Sequence, residues 1–271
     1  MDPVSVMENR EGEKSATVIV PAIVKAISII RYINDSYPRK PSLADICKNI
    51  DITRSHCYNI LQTFKELNWI NYDKQTKLYG ISMEIYKDLS SLLVDQHEVS
   101  EIRPVLSELT RSTGMPCVLS QRLQDGTFFL FDKFNPNKAA EVSLPIGYRY
   151  PHDSPAQLRA YLAFQPGDVI EKWLRDWKPT RYTDKTIVSV PELEEELRMT
   201  AQRGYSVSLG EFTEGLNAIG MPIFNARGEV IFVFNCSWMT LLSNKRTEEI
   251  IAGMTEARDR IHKLIAAVSP I

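Results

Sequence analysis

SLADICKNIDITRSHCYNILQTFKELNWI, residues Ser42 to Ile70, reads as two short helices with a tight break between them, followed by the start of a hairpin. Leu43, Ile46 and Ile50 fall at the i, i+3, i+7 spacing that gathers apolar groups on one face of a first helix. Asp51-Ile52 interrupts the pattern, and Thr53 supplies a side-chain oxygen of the kind that caps a second helix. Cys57, Ile60, Leu61, Phe64 and Leu67 repeat the period on that second helix. Its other face carries Arg54, Ser55, His56, Tyr58, Asn59, Gln62 and Lys65, which are groups that donate to phosphates and read base edges. Two packed helices with a polar, cationic face on the second are the helix-turn-helix arrangement that enters the DNA major groove.

The flanks extend this motif. Asn68-Trp69-Ile70-Asn71-Tyr72 and Lys77-Leu78-Tyr79 are short, aromatic-rich strands around the polar turn Asp73-Lys74-Gln75-Thr76, so a β-hairpin wing is expected. Upstream, Ile23, Ala26, Ile27 and Ile30 mark another amphipathic helix that ends before Tyr37-Pro38. Residues 16–80 therefore read as a winged helix-turn-helix domain. Arg54, Ser55, His56, Tyr58 and Asn59 are the expected groove contacts, with Lys65 on the same face. Thr53 is expected to cap the helix and meet a phosphate, and Lys74 and Lys77 are the wing contacts.

Charge agrees with this. Residues 16–80 hold nine Lys and Arg against five Asp and Glu, a balance of +4, while the whole chain stands at −2. A basic module on an acidic remainder is the footprint of phosphate binding.

The 271 residues are enough for one small module and one larger domain. No run of eighteen apolar residues occurs, and residues 1–15 have neither a signal-peptide core nor a transit-peptide bias. Those residues read as a disordered lead-in, the chain as cytoplasmic, and no membrane partner is expected. The four cysteines, Cys47, Cys57, Cys117 and Cys236, form no C-x-x-C pair, which argues against a disulfide framework or structural zinc. No metal and no cofactor is expected.

Ile81, Ile85, Leu89 and Leu92/Leu93 make one apolar stripe, read as a linker helix over residues 81–98 that meets its counterpart in another subunit. Ligand binding is expected to act on the DNA-reading modules through this helix. Residues 99–271 alternate differently: a helix at Ile102–Ser112, then strands at Cys117–Leu123, Thr127–Phe134 and Ala140–Leu144. Helices follow at Pro155–Phe164, Asp168–Trp177 and Pro191–Gln202. Strands return at Gly204–Leu209, Leu216–Phe224 and Glu229–Trp238, before a last helix at Asn244–Val268. Strands at both ends with helices between them predict an α+β domain built on one antiparallel sheet, a cup that holds a small molecule.

With these pieces in order, the chain from Val20 to Ile265 resembles the IclR family of bacterial transcriptional regulators. The matching residues are Leu43-Ala44-Asp45-Ile46, Thr53-Arg54-Ser55, Leu61, Leu67 and Tyr79-Gly80 in the first domain. In the second they are Ile146 through Pro151, Leu162-Ala163, Arg203-Gly204-Tyr205, Gly215, Pro222, Gly228 and Asn235-Cys236-Ser237. The resemblance implies a dimer or tetramer on a palindromic double-stranded operator. It also implies a GAF-like effector domain sensing a small metabolite, often a carboxylate or aromatic acid of a catabolic pathway. Carried over by position, the effector pocket falls on Ala156, Gln157, Ser208, Leu216, Ala218, Asn235 and Ser237. Leu158 and Pro155 depart from the family pattern, standing where a glycine and a hydroxyl residue are common. Together with Ala218, where a small polar or thiol residue is usual, they point to a larger, more apolar acid.

Two other functional classes stand beside this one. An enzyme lacks support, because no G-x-S-x-G, P-loop or H-E-x-x-H run is present and His56, His97, His152 and His262 are scattered; only His152-Asp153 stands near the expected pocket. No catalytic residue is assigned. The second alternative is an interaction module that keeps the fold without specific operator binding.

Overall fold

The computed structural model describes residues 19–89, 97–136, 144–240 and 244–268. The expected lead-in 1–15, Leu92, Leu93 and nearly all of the strand expected at Ala140–Leu144 lie outside the described residues. The chain divides into two compact units, residues 1–96 and 97–271.

In the first unit, helices α1 (Pro21–Asp35), α2 (Leu43–Ile50) and α3 (Arg54–Glu66) precede a hairpin of β1 (Ile70–Tyr72) and β2 (Tyr79–Ile81). Its core is Ile29, Ile33, Ile46, Cys57, Leu61, Phe64, Ile70 and Tyr79. Two helix ends are held by identifiable bonds. Ser42 and Asp45 form a capping box at the start of α2, and those bonds hold the Asp45 carboxyl below its usual range. At the other end of α2 the chain reverses through Asp51 at φ 51°, and Lys25 of α1 donates to the carbonyls of Ile50 (2.9 Å) and Asp51 (3.0 Å). A cation on orphan C-terminal carbonyls is favoured by the helix dipole.

Several expectations are corrected here. Thr53 occupies the N-cap position of α3 in extended conformation, but its side chain makes no cap bond. α1 buries Ile29 and Ile33 and leaves Ile23 and Ile27 exposed, so the inward stripe is rotated from the expected one. Leu67 follows the last turn of α3 and is 58% exposed rather than part of the core. Ile81 opens no helix; it pairs with Ile70 in the wing, and the helix that follows, α4, spans only Ile85–Asp88.

The second unit runs α5 (His97–Thr113), β3 (Cys117–Arg122), β4 (Phe128–Phe134), β5 (Arg149–Tyr150), α6 (Pro155–Leu162), α7 (Gly167–Asp176) and α8 (Val190–Arg203). It ends with β6 (Ser206–Leu209), β7 (Leu216–Phe224), β8 (Val230–Met239) and α9 (Asn244–Val268). The strands form one six-stranded antiparallel sheet in the order β5-β4-β3-β8-β7-β6. Alternation along the strands gives the sheet two different faces. On one, Leu119, Ile219, Met221, Phe234 and Cys236 pack under α5 and α9. The opposite side carries a second apolar cluster of Phe128, Leu130, Leu158, Leu162, Leu174, Leu193 and Leu197, packed with α6, α7 and α8. This is the α+β domain with one antiparallel sheet that the sequence predicts, with the two-residue β5 added.

Candidate functional site

The exposed face of α3 is set by the same period that fills its core. Cys57, Leu61 and Phe64 point inward, so the intervening Arg54, Ser55, His56, Tyr58 and Asn59 are exposed, as are Thr53 and Lys65. The wing turn is shaped by Asp73, whose carboxylate accepts from the backbone N–H of Gln75 (2.8 Å) and Thr76 (3.3 Å). These bonds lower the Asp73 pKa. Lys77 adopts φ 59°, and both Lys74 and Lys77 are exposed. The wing is docked from below: Tyr79 N–H donates to the Pro41 carbonyl (2.9 Å), and Phe64 stacks on Trp69 at 5.8 Å. The structure thus brings the expected helix residues together on one solvent-facing surface of the first unit.

The seven expected effector residues also converge, and the sheet register explains how. Ala218 lies opposite Ser208 on one side and Ser237 on the other, while Gly220 lies between Ser206 and Asn235. The residues between them, Ile219 and Cys236, face the apolar core under α5 and α9. The row Ser208–Ala218–Ser237 and the row Ser206–Gly220–Asn235 therefore share the other face. Leu216 belongs to the same set by parity and is half-buried.

α6 lies on that face. Ser206 Oγ donates to the Ala156 carbonyl (2.6 Å), and Gln157 Nε2 donates to Asn235 Oδ1 (3.3 Å). Ser154 Oγ donates in turn to Gln157 Oε1 (2.8 Å). Ala156, Gln157, Ser208 and Asn235 are all buried. Gly220 is what lets the helix sit so low: a Cβ there would stand 2.7 Å from both the Ala156 carbonyl and Ser206 Oγ. A glycine inside a strand is the sequence signal of such close backbone approach. Ser206, Ser154 and Gly220 belong with the expected set by contact.

Leu158 turns away from this polar seam and is buried in the apolar cluster with Phe128 and Leu130. Arg159, one residue on, is buried and bonds the Val207 carbonyl (2.6 Å) and Glu211 (2.9 Å) over the edge strand β6. Near it a cavity of about 380 Å3 is lined by Arg159, Lys185, Glu196, Arg203 and Glu211 among others. None of the seven expected effector residues lines it. His152 and Asp153 do not work as a pair. Asp153 is buried and accepts from Thr180 N–H (2.9 Å) and the Tyr182 hydroxyl, while His152 is exposed. Burial, with the Asp153 bond, raises the Tyr182 phenol pKa.

Among the described residues no group of three His, Cys, Asp or Glu is placed to hold a metal ion. Among them, too, no helix is long and apolar enough to cross a membrane.

Comparison with known proteins places this architecture. Residues 91–262 match the family model for the C-terminal region of the bacterial transcriptional regulator IclR. The chain is 24% identical to the HTH-type transcriptional regulator KdgR of Escherichia coli (strain K12) over 243 residues, covering 89% of this chain and 91% of KdgR. It is 22% identical to the transcriptional repressor IclR of the same strain, over 93% of this chain and 94% of that one. Among solved structures, an IclR homolog from Microbacterium hydrocarbonoxydans complexed with 4-hydroxybenzoate superposes with a TM-score of 0.79 at 14% identity, covering 91% of this chain and 99% of that chain. The two named relatives are regulators of transcription rather than enzymes. With a family model spanning well over half its length and two regulators matching nearly end to end, the chain belongs to the IclR family of bacterial transcriptional regulators.

Proposed function

We propose that this regulator acts in the cytoplasm as a homodimer or homotetramer on double-stranded operator DNA, and that an organic or aromatic acid controls it. Arg54, Ser55, His56, Tyr58 and Asn59 read the major groove, and Thr53, Lys65, Lys74 and Lys77 meet phosphates. The observation that carries this reading is the face of α3. Five neighbouring polar side chains are exposed above a buried row of Cys57, Leu61 and Phe64, beside a wing that presents two lysines. Thr53 supports it further, because its hydroxyl is not consumed by a cap bond at the positive end of the α3 dipole. Oligomerisation is supported by the exposed apolar row of Ile23 and Ile27 on α1 with Val20 at its N-cap, a surface that another subunit would cover.

Gln157, Ser208, Asn235 and Ser237 hold the acid's carboxylate, and Ala156, Leu216 and Ala218 pack its carbon skeleton. The seam between α6 and the sheet supports this, because it collects amide and hydroxyl groups in a buried place next to apolar walls. Ala218 offers no polar group, which favours a more apolar acid than the small keto acids; Leu158, turned into the apolar cluster with Phe128 and Leu130, adds nothing to the seam itself.

The test is a titration of purified protein against DNA from upstream of its own gene and against scrambled DNA at two salt concentrations. Strong preference for the first, with affinity falling as salt rises, is expected. Equal weak binding to both would point to an operator elsewhere or to an interaction module that keeps the fold without specific reading, and selection from random DNA sequences separates the two. A thermal-shift screen should show stabilisation by aromatic or longer-chain acids; stabilisation by small keto acids alone would overturn the effector class.

A further inference from the structure

We propose a second ligand site, on the outer side of α7, made for a single-ring aromatic carboxylate. The helix buries Leu174 and leaves Val169, Lys172 and Asp176 exposed. Between it and the turn at His152 lies a cleft of about 260 Å3 lined by His152, Val169, Lys172, Trp173, Asp176 and Trp177. Trp173 and Trp177, one helical turn apart, stack with ring centroids 5.7 Å apart and planes 30° apart. They give the cleft a flat aromatic wall.

The polar groups define what this wall accepts. Trp177 Nε1 is buried and meets no acceptor among the described residues. Most buried N–H groups are paired, and an unpaired one costs about 1–3 kcal/mol; this N–H is closed off from solvent, so a turn of the Trp177 ring toward a ligand oxygen would gain the bond it lacks. Lys172 and His152 stand at the cleft against the single carboxylate of Asp176, and among the described residues none of the three has an ion-pair partner. A flat ring with one carboxylate satisfies the wall and the lysine together, and offers the turned indole N–H an acceptor. A neutral aromatic leaves Lys172 unanswered, an aliphatic acid loses the stacking, and a second carboxylate meets Asp176.

This cleft shares no residue with the seam between α6 and the sheet, so it stands independently of the effector reading above. It is nevertheless tied to the start of α6. His152 directly precedes Asp153, whose carboxylate accepts from Thr180 N–H three residues after Trp177. A ligand here would stiffen the junction from which α6 runs to Gln157.

The test uses the full chain with 15N-labelled tryptophan. Its four indole N–H resonances are assigned by single Trp→Phe substitutions and followed during titration with benzoate, benzamide and cyclohexanecarboxylate. The Trp177 resonance should move downfield saturably with benzoate; benzamide should bind about tenfold or more weakly for the lost charged hydrogen bond, and cyclohexanecarboxylate about two- to tenfold more weakly for the lost stacking. Lys172→Ala, an exposed substitution with no effect expected on folding, should weaken benzoate similarly, while Gln157→Ala should leave the Trp177 response intact. A Trp177 resonance that benzoate does not move overturns the proposal. So does a response abolished by Gln157→Ala and untouched by Lys172→Ala.

Discussion

Gln157 and Asn235, buried and 78 positions apart in the chain, bond to each other across the seam between α6 and β8, amide nitrogen to amide oxygen at 3.3 Å. An acid entering this seam has to take over that bond. Gln157→Ala removes the donor to Asn235 and the acceptor of Ser154, leaving buried polar atoms unmatched. It should lower stability by about 1–3 kcal/mol in urea denaturation. It should also abolish the effect of the acid on operator binding while leaving acid-free operator affinity unchanged, which gel-shift titrations with and without the acid would show.

Gly220 makes a sharper prediction about the same seam. Its φ lies in the ordinary region, so strain is not the issue; space is. The Cβ of Gly220→Ala would stand 2.7 Å from the Ala156 carbonyl and 3.2 Å from Ala160 Cβ, atoms carried on a helix. α6 must lift, at a cost of about 1–3 kcal/mol by the usual range for overpacking. The melting temperature should fall and calorimetric titration should show weakened acid binding; an unchanged protein would mean that α6 does not rest on Gly220.

On the DNA-reading face, Arg54→Ala and Asn59→Ala should each cost about 1–3 kcal/mol of operator affinity and relax preference at one base pair. Lys74→Ala should instead weaken all sequences alike and reduce the slope of log affinity against log salt by about one. Competition binding against single-base operator variants separates the two classes. Loss of affinity without loss of preference at Arg54 and Asn59 would reassign both to phosphates.

His262 gives a pH signature. Its Nε2 accepts from the Phe224 backbone N–H (3.1 Å), which requires the neutral ring, and burial, with nearby Arg258, lowers its pKa from the ordinary 6.5. The unfolded chain then binds more protons than the folded one below pH 6.5. Stability contributed by this histidine is complete above that pH and is lost as pH falls toward the lowered folded value. Denaturation midpoints measured at successive pH values should decline over that interval, and His262→Gln should flatten the decline.

The reach of the sequence is clearest where signals are local. The helix pair was legible because Leu43, Ile46 and Ile50, then Cys57, Leu61 and Phe64, repeat densely between a break at Asp51 and a polar turn. α1 shows the opposite problem. Ile23, Ile27, Ile29, Ile30 and Ile33 are compatible with two overlapping stripes, and only packing against Ile46 and Leu61 selects the one that is buried. Ile81 was read with the residues after it because its partner, Ile70, is on another strand. β5 exists only through its pairing with Phe128 and Phe129, so two residues gave nothing to read. The effector set came from family resemblance; no local pattern joins Gln157 to Asn235. The low seat of α6 did have a local signal, Gly220 inside a β-strand, but one that the expectations above do not draw on.

The two-sided sheet has a consequence for how such a regulator changes over generations. Ser208, Ala218 and Ser237 stand in one row, and the neighbours that alternate with them, Val207, Ile219 and Cys236, belong to the opposite face. With the first row facing the effector as proposed, a lineage could alter it one codon at a time and drift toward a new signal, while the second row keeps the scaffold foldable. Inheritance of shape and invention of taste are assigned to alternate letters of the same strands.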